Sequence, residues 1–414
     1  MVARRQFLGG LVVAAGALSA CSEVQSGPSK AAPQGGAGRQ SNPETVPLDA
    51  VALEDALVGS SYLGTGGGGS LSEARELIAK DLAAGLSFNQ ISVDSLSDTD
   101  RVACPYGLAS LAPVSPEMQA KLDASTNKSD VPVQLAFETL EEHLGQKFAG
   151  VIMGEIGPLS LAEGLSIAAR LGVPALDADT VGRAVPEINQ HSVKVAGIPL
   201  TPIGAATPFG DQLVVEKLGD PTRAEDVLRS IAMVSTVCGV TDSPITGAQA
   251  KAPGTLVTGS LTLARKIGEA VRLAKDANTD PIEAARAAGD GYLLFTGSVS
   301  DFDWHDEDGF LQGRLQIAGI GEFGGQSFAT DYKNEHLVAR RNGEVVATCP
   351  DLISVIDLET YDGINNPDFV KGQKVAVLGF RCDPLWREEA GLEVFSPAYF
   401  GYDVDYVPIE ELLA

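Results

Sequence analysis

Between residues 155 and 191 the chain gathers groups able to move protons or hold ions: Glu155, Asp177, Asp179, Arg183, Glu187, Asn189 and His191. A carboxylate set among others can serve as a general base or acid. Asp177, Asp179 and His191 also offer oxygen and nitrogen donors for a divalent metal that would activate water. Arg183 could stabilise an anion, or simply neutralise Asp177 or Asp179, because structural ion pairs gather at such places too. A second feature is the loop Gly66-Gly67-Gly68-Gly69, followed at once by Ser70-Leu71-Ser72-Glu73. Glycine N–H groups ahead of a helix can hold an anion or a polarised ligand atom. No lysine follows as in a Walker loop and no strand-led dinucleotide fingerprint is present, so a flexible turn is the plain alternative.

The elements that must position these groups follow from periodicity. Asp49–Ser60 has apolar residues at helical spacing, and Ser70 and Glu73 form a capping box for a helix whose apolar face is Leu71, Ala74, Leu77, Ile78 and Leu82. Residues 148–153 read as a buried strand, Leu159–Leu171 as a helix closed by Gly172, and Val173–Leu176 as a second strand. Such a β-α-β unit predicts parallel strands with Glu155, Asp177 and Asp179 at one carboxyl edge, where open α/β sheets bind ligands. Helices are expected near 223–237, 261–275 and 281–289. From Tyr292 the period becomes two, with a turn at Asn342-Gly343, which predicts an antiparallel region. The fold class read from this is α/β: an N-terminal α/β domain with a parallel sheet over 48–210, and a C-terminal α+β domain over 211–414 ending in a β-rich region.

The first 47 residues have a different purpose. Arg4-Arg5-Gln6-Phe7-Leu8, a short weakly apolar run and Leu18-Ser19-Ala20-Cys21 read as a twin-arginine lipoprotein signal peptide over 1–21. Lipidation of Cys21 would anchor the chain to a membrane. Residues 22–47 are poor in large apolar side chains and read as a disordered tether. The expected location is therefore the cell envelope, on the periplasmic or extracytoplasmic face. A net charge of −25 argues against nucleic acid as a partner. Cys104, Cys238, Cys349 and Cys382 stand in no Cys-x-x-Cys pair, so a structural zinc cluster is not expected, while disulfides and buried free thiols both stay open. A homo-oligomer is compatible with the composition.

From about Leu48 to the C-terminus the chain resembles the S-methyl thiohydantoin desulfurase family. The resemblance rests on Leu63-Gly64-Thr65-Gly66-Gly67-Gly68-Gly69, Gly154-Glu155-Ile156-Gly157, Gly172-Val173-Pro174-Ala175-Leu176-Asp177-Ala178-Asp179 and Gly182-Arg183-Ala184-Val185-Pro186-Glu187. It continues in Thr296-Gly297-Ser298-Val299, Asn334-Glu335-His336-Leu337, Cys349-Pro350-Asp351-Leu352 and Phe400-Gly401-Tyr402-Asp403. Pro158 and Ser160 stand where the family usually has Gly and Asn, and Thr180, Val181 and Val185 replace Gly, Met and Phe. The resemblance implies hydrolytic removal of a sulfur substituent from a thiohydantoin-like cyclic amide or thioamide, giving a hydantoin plus thiol or sulfide. On that basis Asp177 or Asp179 is expected as base. Arg183 and the amides of Gly66–Gly69 would stabilise charge, and Glu155, Glu187 and Asn189 would position the ring. The rival expectation is a membrane-anchored protein that binds a small cyclic amide without chemistry; ring opening by an amidohydrolase-like activity is a third.

Overall fold

The computed structural model describes residues 45–109, 114–307 and 309–414. The twin-arginine leader, Cys21 and the tether as far as residue 44 lie outside them. Pro43–Ala414 forms one compact unit, and none of its described helices is long and apolar enough to cross a membrane.

The expected N-terminal helix is Ala50–Leu63, started by the Asp49 carboxylate accepting from the Ala52 amide at 2.8 Å. The next helix, Leu71–Ala83, is capped by Ser70, whose hydroxyl accepts from the Glu73 amide. Helix Pro158–Leu171 ends at Gly172 in the left-handed conformation (φ 69°), which satisfies its last carbonyls without a Cβ clash. The helix expected near 223–237 is Ala224–Ser235, which follows a 3₁₀ turn capped by Asp220.

Nine strands form the first sheet: β1 (Val46–Leu48), β2 (Phe88–Ile91), β3 (Arg101–Ala109), β4 (Gly150–Met153), β5 (Ala175–Asp179), β6 (Ile203–Ala206), β7 (Gln212–Val215), β8 (Val237–Thr246) and β9 (Val257–Thr258). Their order is β1-β2-β5-β4-β3-β8-β6-β7, with β9 on β5. The centre, β2-β5-β4-β3, is parallel as the β-α-β reading requires, and the other strands run antiparallel to their neighbours. β4 and β5 are buried almost throughout, as expected of strands covered on both faces.

The second sheet is wholly antiparallel. Its strands are β10 (Tyr292–Glu307), β11 (Phe310–Gly319), β12 (Ser327–Lys333), β13 (Glu335–Arg341), β14 (Glu344–Thr348), β15 (Leu352–Asp357) and β16 (Lys374–Phe380). They lie in the order β14-β13-β12-β11-β10-β16-β15. The β-rich end predicted from the period-two runs is this sheet.

The two halves share a core. Leu53, Leu57, Leu63, Leu161 and Leu165 cluster with Leu261, Ile267, Leu337, Leu378 and Trp386, all buried. Arg272, on helix Ser260–Ala277, clamps Asp55 of the first helix with two 2.8 Å hydrogen bonds. Trp386 is fully buried and donates its indole N–H to the Val181 carbonyl at 2.7 Å. These contacts fix the loop that follows β5, which carries the polar run 183–191.

Candidate functional site

At the carboxyl ends of β4 and β5 the chain leaves a cavity of about 150 Å³. Cys104 and Tyr106 of β3 form one wall, and Gly154, Glu155 and Thr180 end the neighbouring strands. Ser160 and Glu163 come from helix Pro158–Leu171, Glu187 and His191 from the loop, and Glu225 and Arg229 from helix Ala224–Ser235. It lies where the sheet topology predicts a ligand. A larger open depression of about 420 Å³ lies near Arg286, Asp290, Tyr292 and Arg341. Glu283 already holds Arg286 there, and no convergent acid–base set is present.

The cavity is acidic. Glu155 accepts from the Ser160 hydroxyl (2.7 Å) and the Val185 amide (2.9 Å), so the serine standing in the asparagine position still orients this carboxylate. Burial nevertheless raises its pKa above the ordinary carboxylate value, against the pull of those hydrogen bonds. Burial pushes Glu163 up to about 7, opposed by the Gly107 backbone and reinforced by Glu155. Such a carboxyl is half protonated near neutrality, which suits proton transfer in either direction. Glu187 sits at the rim, 2.5 Å from Lys333 Nζ of β12, and accepts from the Tyr399 hydroxyl at 2.7 Å.

Beneath the carboxylates lies a group that sequence spacing did not bring together. Cys104, His191 and Asp242 each place one donor atom within 4.8 Å of the other two, and all three are buried. His191 Nε2 is 3.5 Å from Asp242 Oδ1 and 3.4 Å from Ser243 Oγ, while Tyr106 donates its hydroxyl to Asp242 Oδ2 at 2.9 Å. A β-bulge makes the arrangement: Val102 faces Ile245 and Cys104 faces Asp242, so β8 carries one residue more than β3 between those pairs. Ser243 absorbs the bulge with a left-handed backbone, φ 49°.

Of the residues expected from sequence, Glu155, Glu187 and His191 line the cavity, and the others are placed elsewhere. Asp177 turns toward helix Ser260–Ala277 and caps it from outside, accepting from the Thr262 amide (2.9 Å) and hydroxyl (2.6 Å). The reason is that this helix begins at Gly259, which has no side chain to cap with. Asp177→Ala is expected to cost about 1 kcal/mol of stability, as lost caps do, and to leave ligand binding in the cavity unchanged. A thermal melt with and without a hydantoin checks both statements.

Asp179 is fully buried and folds back on its own loop, accepting from the amides of Val181 (2.9 Å) and Gly182 (2.6 Å). Burial lifts it from 3.8 to about 7. The folded protein therefore keeps a proton between pH 4 and 7 that the unfolded chain releases. The resulting stability is present below pH 4 and is lost as pH rises through 7, to the extent of order 4 kcal/mol. Urea unfolding should show this decline, and Asp179→Asn should flatten it.

Arg183 does not pair with Asp177 or Asp179. It is fully buried, and its five N–H donors go to the carbonyls of Ala184, Pro350, Asp351 and His336 and to the Thr65 hydroxyl. No donor is left for a ligand; the residue ties the glycine loop to the second sheet. Asn189 accepts from Lys194 Nζ at 2.5 Å and is not in the cavity wall.

Gly66–Gly69 are likewise absorbed by the fold. A Cβ on Gly67 would lie 1.7 Å from Glu335 Oε1, and one on Gly68 would lie 2.3 Å from Gly157 Cα. The Gly68 backbone hydrogen-bonds the buried Glu335 carboxyl, whose pKa burial pushes well up. The Gly66 carbonyl accepts from the Asn366 amide. The glycines thus allow close packing against β13, and the internal carboxyl takes the place foreseen for an anion. Likewise Asp177 and Asp179 do not join His191 as metal donors; its neighbours are Cys104 and Asp242.

Comparison with known proteins agrees with this architecture. The crystal structure of a structural-genomics target protein from Chromobacterium violaceum matches with a TM-score of 0.66 at 25% identity, covering 88% of this chain and 99% of the other. No curated protein matches the chain. Family models described as the S-Me-THD-like N-terminal and C-terminal domains match residues 51–217 and 219–409. With both domains present over nearly all of the described residues, the chain belongs to the S-Me-THD-like family.

Proposed function

We propose that the protein is a hydrolytic desulfurase that removes a sulfur substituent from C2 of a thiohydantoin-like cyclic amide. The reading draws on family membership. The observation that carries it further is the convergence of Glu155 and Glu163 on one cavity at the carboxyl edge of the sheet. A five-membered cyclic amide presents ring N–H donors, which carboxylates accept well in a low-dielectric site. For an S-methyl substrate, the water oxygen ends on C2 as the C2–S bond breaks. One water proton ends on the ring nitrogen and the other on the departing sulfur, giving hydantoin and methanethiol. Glu163 is suited to accept the water proton and return it to sulfur, because near neutrality it can hold or release one. Glu155, fixed by Ser160 and Val185, orients the ring. The proposed setting is the cell envelope, with the chain exported by the twin-arginine route and anchored through Cys21.

The test is incubation with an S-methyl thiohydantoin and titration of released thiol. Stoichiometric thiol and hydantoin are the expected products. Thermal stabilisation by hydantoins without thiol would replace this reading with a non-catalytic binder, and ring-opened product would replace it with an amidohydrolase.

A further inference from the structure

We infer that Cys104, His191 and Asp242 form a binding site for one zinc-type divalent cation, open on one side to the cavity. The inference deepens the desulfurase reading and rests on it for the identity of the substrate. The first argument is the donor set. A sulfur, an imidazole nitrogen and a carboxylate oxygen, all buried and mutually within 4.8 Å, suit Zn²⁺ or Co²⁺ and not Mg²⁺ or Ca²⁺, which prefer oxygen.

The second argument is unsatisfied valence. Asp242 Oδ1 is fully buried with no hydrogen-bond partner, and His191 Nε2 stands 3.5 Å from it. Buried polar atoms are ordinarily paired. Asp242 Oδ2, by contrast, is held by Tyr106, the kind of support that ligands to metals receive.

The third argument is charge. Glu155, Glu163 and Asp242 crowd this region, and each nearby cation is engaged elsewhere: Arg229 with Glu225, Lys333 with Glu187, and Arg183 with backbone carbonyls. A bound cation would balance these acids. The same crowding separates this reading from a cysteine nucleophile. Cys104 is fully buried beside the Asp242 carboxylate, whereas a cysteine nucleophile needs an electropositive, partly exposed setting. A coordinated thiol is deprotonated by the cation itself.

Three protein ligands with a free side toward a cavity is the arrangement in which zinc lowers the pKa of water and polarises a substrate. Cys104 and His191 both reach the cavity wall, so the free position faces the proposed ring.

The experiment is Co²⁺ titration of chelator-treated full-length protein, without substrate. About one equivalent is expected to bind, with a near-ultraviolet thiolate-to-cobalt band. Cys104→Ser should abolish the band. Asp242→Asn should weaken binding about 10- to 100-fold or more. Cys382→Ser, which removes a buried thiol of the second half, should leave the band intact and so guards against general misfolding. Binding of less than about a tenth of an equivalent to the parent protein, or a band that survives Cys104→Ser, overturns the site. Metal bound at Cys104 without thiol release would overturn only the proposed reaction. Thiol release from protein that takes up no cobalt would overturn only the metal site.

Discussion

Arg183→Met is expected to lower the unfolding free energy by about 3–5 kcal/mol, the range seen when one partner of a buried charged network is removed. Two effects oppose each other. Removing an unpaired, fully buried guanidinium relieves a desolvation penalty, which alone would stabilise the fold. Against this, four carbonyls and the Thr65 hydroxyl lose their donors at once. Each orphaned buried acceptor costs about 1–3 kcal/mol, so five of them outweigh the relief. Arg183→Lys should fare little better, because one ammonium cannot reach oxygens spread over Thr65, His336 and Pro350-Asp351. The measurement is a urea titration of both variants, read as a fall in midpoint at unchanged slope. A Met variant as stable as the parent would show that water replaces the guanidinium.

Glu163→Gln is expected to reduce kcat/KM for thiol release by about 10²- to 10⁴-fold, the usual worth of a general base, without destabilising the protein. The amide matches the carboxylic acid in shape and removes a group whose ionised form the site disfavours. The parent rate should fall as pH drops through about 7, where Glu163 takes up its proton, and the residual rate of the variant should lack that inflection. Hydantoin-induced stabilisation should survive the substitution, since Glu155 keeps its own fixed hydrogen bonds. An unaltered rate in Glu163→Gln would remove this residue from the mechanism.

Local signals carried the reading of the fold well where they were strong. The β4-helix-β5 unit, the Ser70 cap and the antiparallel end all rest on patterns shorter than about twenty residues. Among the strands that escaped, the two that build the site have a composition that argues against them. β3 contains Cys104-Pro105-Tyr106-Gly107, and β8 contains Ser243-Pro244, residues that ordinarily mark turns. Their pairing across more than a hundred residues leaves no local trace. Consequently the edge carboxylate Glu155 could be read from the sequence, as could His191, but Cys104 and Asp242 could not be joined to them. Asp177 and Arg183 failed for a related reason. Each is claimed by a distant segment, the helix from Ser260 and the stretch 336–351, so their hydrogen bonds are settled by tertiary structure and not by neighbours in the chain. Pro244, a residue that strands carry chiefly at edges and bulges, is the local mark of the bulge that aligns Asp242 with Cys104.

β8 also constrains how the chain can be made. It fills the slot between β3 and β6, so until residue 246 has left the ribosome both of those strands present bare hydrogen-bonding edges. Open edges invite pairing with other chains, and closure over such a sequence separation is slow. Residues 51–217 therefore match a family domain by sequence but do not complete their own sheet. A nascent chain stalled or cleaved before Val237 would be a sticky, half-closed particle, open to pairing with its neighbours until that strand arrives.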